Sequence, residues 1–132
     1  MTEMDALQIK PLVQAYIGDA VYEQFVRDFL LRKPYRDAHD LHRKAIPFVR
    51  AGGQADILRV LSEELTEKEA DVVRRGRNAH ANTIPKNADV NTYHLATGFE
   101  ALIGFLHLSG QDERLQYILN KSMEIGESLH GK

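Results

Sequence analysis

Two acidic residues stand where charge is hardest to accommodate. Asp19 lies in Ala15-Tyr16-Ile17-Gly18-Asp19-Ala20-Val21-Tyr22-Glu23, and Glu100 in Ala96-Thr97-Gly98-Phe99-Glu100-Ala101-Leu102-Ile103-Gly104. A carboxylate flanked so closely by core-forming residues is costly to desolvate unless it is paired or holds a cation. The plain alternative puts Asp19 on the polar edge of its helix and Glu100 on the solvent face of its own. The small neighbours weigh against it, because Gly18, Gly98 and Gly104 lower helix propensity and suit close helix approach. Two such helices packed together would bring the carboxylates to one point, where a divalent cation could be set against a phosphodiester. Glu23, one turn beyond Asp19, could join through water or serve as a solvated or salt-bridged surface residue.

Other chemistries are thinly represented. With no Cys among 132 residues, disulfide scaffolds, thiol catalysis and Cys-ligated zinc are excluded. The phosphate-binding glycine loop, the dinucleotide fingerprint and the His-Glu-x-x-His zinc helix are missing. His39-Asp40 matches the dipeptide of the HD phosphohydrolases, but that fold needs further His and Asp ligands on other helices. The net charge of −2 conceals an uneven distribution. Residues 27–50 hold seven Lys or Arg against three acids, and residues 72–95 hold four against one. These blocks read either as solvated helix faces or as phosphate-binding surface beside an acidic site. In the second block, Arg74, Arg75, Arg77, Asn78, His80, Asn82, Lys86 and Asn87 could reach the phosphates of a polyanion. Arg74, Arg75 and Arg77 could equally stabilise the helix end on which they fall.

The elements that must position these residues are all helical. Val13, Ile17, Val21, Phe25 and Phe29 recur every four residues, with Leu12, Tyr16 and Ala20 beside them, and predict a long helix with a wide buried face. Lys33-Pro34 ends it. Asp37 caps a second helix through Phe48, which Pro47 should kink or split, and Gly52-Gly53 marks a further break before a short helix at Ile57–Leu61. Thr66 and Glu69 have capping-box spacing for a helix to about Arg77. Asn78 to Ala88 reads as a loop. Asp89 caps a helix stopped by Ser109-Gly110, and a last helix carries Leu115 to Ile125. No run alternates with period two, so the fold class is all-α, in a single domain over residues 1–132. Leu95, Phe99, Leu102, Ile103, Phe105, Leu106 and Leu108 leave their helix apolar on most sides, which predicts a second subunit as its cover. An acidic amino terminus and the absence of a long uncharged apolar run predict neither a signal peptide nor a membrane span, and hence the cytoplasm.

At its two acidic segments the chain resembles the ribonuclease III family. Tyr16-Ile17-Gly18-Asp19-Ala20-Val21 is similar to that family's signature helix, and Phe99-Glu100-Ala101-Leu102-Ile103-Gly104 to its second acidic helix. Arg75-Gly76-Arg77-Asn78-Ala79-His80 and Ile84-Pro85-Lys86-Asn87-Ala88-Asp89 resemble the minimal bacterial form, Mini-ribonuclease III, which lacks a double-stranded-RNA-binding domain. The resemblance implies a ribonuclease III-like helical fold and a Mg²⁺-dependent homodimer. It also implies cleavage of double-stranded RNA to 5′-phosphate ends, in maturing the ends of precursor 23S ribosomal RNA. Asp19 and Glu100 would then be the catalytic and metal-binding pair. The wider family carries further acids four residues before the Asp and three before the Glu, where this chain has Ala15 and Thr97. That departure supports the alternative, a non-catalytic RNA-binding or ribosome-associated module on the same fold.

Overall fold

A computed structural model describes residues 1–79 and 89–130. Seven α-helices follow one another: α1 (Glu3–Leu7), α2 (Pro11–Leu31), α3 (Ala38–Val49), α4 (Ala51–Leu61), α5 (Glu67–Asn78), α6 (Val90–Leu108) and α7 (Asp112–Leu129), with a 3₁₀ turn at Ser62–Glu64. No strand occurs among the described residues, so the all-α expectation holds.

α6 is the axis of the molecule. Ten of its residues, Ala96–Phe99 and Ala101–Leu106, are buried, chiefly against α2, α5 and α4. The expectation that a second subunit must cover this helix is therefore corrected, because the chain's own helices cover it. On α2, by contrast, several apolar side chains are left uncovered. There the deepest stripe is Ala15, Gly18, Tyr22, Val26 and Leu30, while Val21, Phe25 and Phe29 are half-buried and Leu12, Val13, Tyr16 and Ala20 are exposed. The wide buried face predicted for this helix is thus narrower and turned by about one residue. Gly18, rather than a large side chain, takes the closest contact with α6.

Local signals explain most helix ends. Thr66 Oγ1 accepts from the Glu69 N–H at 3.1 Å and Glu69 Oε1 accepts from the Thr66 N–H at 3.0 Å, completing the predicted capping box. Glu69 is also gripped by Arg114 of α7 at 2.8 Å through both oxygens, which ties the start of α5 to the far helix. α6 ends in a Schellman arrangement: Gly110, at φ 70°, donates to His107 O, and Gln111 donates to Leu106 O.

Two predicted interruptions are corrected. Pro47 does not split α3, which continues through it to Val49. Gly52-Gly53 is no break; both residues belong to the first turn of α4, and the chain turns at Arg50, whose backbone is extended. Gly53 is needed there because a Cβ would stand 1.9 Å from Pro47 O, so α4 starts directly on the end of α3.

Candidate active site

Backbone contact brings the two acidic segments together. A Cβ on Gly18 would lie 1.8 Å from the carbonyl oxygen of Glu100, and one on Gly104 would lie 1.9 Å from that of Gln14. α2 and α6 therefore meet main chain to main chain, closer than any side chain would permit. Asp19 follows Gly18 on the exposed shoulder of this contact, and its carboxyl comes within hydrogen-bonding reach of the half-buried Glu100 carboxyl. Neither is paired with a lysine or arginine among the described residues. Burial first, then the hydrogen bond and negative charge of Asp19, push the Glu100 carboxyl well above the usual carboxylate range. Gln54 of α4 opposes this, its Nε2 donating to Glu100 Oε2 at 3.4 Å.

The surrounding donors are accounted for. Glu23 Oε2 accepts from Arg27 at 2.8 Å, so it is the salt-bridged surface residue of the two readings. Ala15 is buried and offers no ligand atom. Thr97, also buried, donates its hydroxyl to Tyr93 O at 3.0 Å in its own helix. The set left among the described residues is two carboxylates, hard oxygen donors. That fits a Mg²⁺ ion, which accepts one or two carboxylates and completes its octahedron with water and phosphate oxygen. No group of three His, Asp or Glu able to hold a metal occurs among the described residues.

His39-Asp40 has another role. Asp40 is buried and accepts from the Arg36 N–H at 3.1 Å, while Arg43 and Lys44 close on it at 2.7 and 3.1 Å. The Arg36 N–H, assisted by the Lys44 and Arg43 side chains against the opposing effect of burial, holds this carboxyl down at about 2. An acid so fully engaged is a structural anchor for α3, and the HD reading is set aside.

The second basic block divides. Arg74 is exposed and paired with Asp71. Arg75 turns inward, its Nη1 donating to Leu7 O of α1 at 3.3 Å and its Nε lying 3.4 Å from Asp71. Arg77 and Asn78 are exposed, and the Arg77 stem passes over Gly98 of α6. His80, Asn82, Lys86 and Asn87 lie outside the described residues. Sequence reasoning missed Gln54: it follows Gly52-Gly53, which reads as a break, and a buried glutamine has no local signature.

Paired acids held by abutting helices in an all-α fold define a class. Residues 13–111 match the Ribonuclease III domain, and the chain belongs to the ribonuclease III family. Its relatives carry a narrower name. Mini-ribonuclease 3 of Symbiobacterium thermophilum is 51% identical over 92% of this chain and 93% of its own length. Mini-ribonuclease 3 of Enterococcus faecalis is 44% identical over 94% and 96%. The crystal structure of a Fusobacterium nucleatum protein, 27% identical, superposes with a TM-score of 0.79 over 89% of this chain and 93% of that one. The protein is an endoribonuclease. No helix among the described residues is long and apolar enough to cross a membrane.

Proposed function

We propose that residues 1–132 act as one catalytic domain that hydrolyses double-stranded RNA with Mg²⁺ held by Asp19 and Glu100. The observation that carries this reading is the Gly18–Gly104 contact, which presses together two carboxylates that no lysine or arginine among the described residues pairs. A divalent cation bound there would supply Lewis-acid stabilisation to the phosphodiester and a means of activating water. Asp19, on the exposed shoulder, meets the solvent side of the site, and Glu100 closes its inner wall. Arg74, Arg77 and Asn78 bind the phosphate backbone from the end of α5, together with His80, Lys86 and Asn87; Arg75 supports them by tying α5 to α1. Recognition is by shape and charge, since the deep groove of A-form RNA hides its base edges.

The functional unit is a homodimer, supported by the uncovered Leu12, Val13, Tyr16 and Ala20 on α2, within two turns of Asp19. The substrate in this reading is the ends of precursor 23S ribosomal RNA, as the resemblance of residues 75–80 and 84–89 to the minimal bacterial form implies, and the place of action is the cytoplasm. A structured RNA duplex incubated with the protein and Mg²⁺ should be cut to 5′-phosphate and 3′-hydroxyl ends, scored by ligation of the products. Tight binding without any cleavage would establish the non-catalytic module instead. Sedimentation should give twice the chain mass at micromolar concentration, and a stable monomer would remove the dimer.

A further inference from the structure

Resting on the reading of Asp19 and Glu100 as the metal-binding pair, we infer that Gln54 is a positioning residue for the Glu100 carboxylate. Gln54 is only 2% exposed, a depth at which a glutamine amide needs partners. Its Nε2 carries two hydrogens in one plane. One is donated to Val49 O at 3.2 Å, an acceptor left over at the end of α3, and the other is aimed at Glu100 Oε2 at 3.4 Å. The first bond is to backbone and fixes the plane of the amide, so the direction of the second donor follows from it. Gly53 seats the start of α4 on Pro47 O and thereby delivers residue 54 to this place.

At 3.4 Å the bond to Glu100 lies at the long end of the hydrogen-bonding range, so it orients more than it stabilises. A neutral donor is the suitable device. It engages one oxygen of Glu100 without cancelling the charge that a cation needs, whereas a lysine or arginine there would compete with the metal. Groups that hold metal ligands in this way commonly govern metal affinity by about 10- to 100-fold when removed.

The test uses the whole chain without RNA and reads Mn²⁺ binding by electron paramagnetic resonance. Gln54→Met keeps an unbranched side chain of similar length and loses both donors. Its Mn²⁺ affinity should fall about tenfold or more, with the helical circular dichroism spectrum and the metal-free duplex affinity unchanged. Gln14→Met is the matched control, a buried glutamine whose Nε2 donates to Ala6 O at 2.8 Å and which has no hydrogen bond to either carboxylate; it should lose stability but not Mn²⁺ affinity. Affinity of Gln54→Met within twofold of the parent, while Asp19→Asn binds no Mn²⁺, overturns the role of Gln54 and leaves the metal pair standing. Parental affinity in Asp19→Asn overturns both. Should Gln54→Met fail to fold, the unmutated protein still decides: the Gln54 side-chain amide resonance should shift along a Mg²⁺ titration with the midpoint of binding, and an unmoved resonance overturns the inference.

Discussion

Asp40 and Glu100 are both acids drawn out of water within one small helical chain, and their surroundings are opposite. Asp40 meets a backbone N–H and two cationic side chains within 3.1 Å, with Arg36 Nη2 at 3.6 Å. Among the described residues, Glu100 meets another acid and one neutral amide. The first carboxyl is held far down and the second is pushed up. A compensated charge holds a helix in place, whereas an uncompensated one is an invitation to a cation. Burial alone does not distinguish the two; the inventory of partners does.

The sharpest way to break this contrast is to neutralise each acid. Asp19→Asn and Glu100→Gln should each lower cleavage by orders of magnitude, while thermal unfolding of Glu100→Gln occurs at the parental temperature or above, because a neutral amide replaces a carboxyl whose ionisation the site disfavours. Near-parental cleavage by either variant would refute its assignment. Gly18→Ala should injure both site and fold. Its methyl has no room 1.8 Å from a backbone oxygen, so α2 and α6 must part, and the loss should reach about 2 kcal/mol or more despite the gain in helix propensity. Chemical denaturation measures this, and parental stability would refute the close approach.

Asp40→Asn should lower the melting temperature and leave cleavage per folded molecule intact, the reverse of Glu100→Gln. The acid limb of the stability curve sharpens the point. A carboxyl held at about 2 when folded and near 4 when unfolded contributes stability above pH 4 that is lost as pH falls from about 4 to 2. Asp40→Asn should flatten that limb, and an unchanged limb would show that its cations do not hold the acid. The smallest effect belongs to the periphery. Replacing Arg74 and Arg77 by Gln should weaken duplex binding and reduce its salt slope by about one for each phosphate no longer neutralised. An unaltered slope would shift attention to the basic residues between Arg32 and Arg50.

The legible part of the molecule was the part encoded locally. Glycine beside acid in two apolar helices announced the α2–α6 contact, and Thr66 with Glu69 announced the start of α5. What escaped was decided by tertiary contact. α1 is only five residues long and is held by bonds from Gln14 to Ala6 O and from Arg75 to Leu7 O, partners distant in sequence. Apolar periodicity identified α6 as a helix needing cover all round but could not say whose atoms would supply it. Likewise, Gly52-Gly53 carries the composition of a turn, and only the carbonyl of Pro47 explains why it is helical.

The abutment of Gly18 and Gly104 makes the spacing of Asp19 and Glu100 a mechanical stop rather than a spring. Cores padded with side chains yield gradually when a methyl is added or removed, but two backbones in contact have nothing left to compress. The next matching register along α6 lies a full turn away, about 5.4 Å. Substitutions elsewhere in the core should therefore sort into two kinds, those that fold and cut at full rate and those that do neither, with few partly active proteins between them.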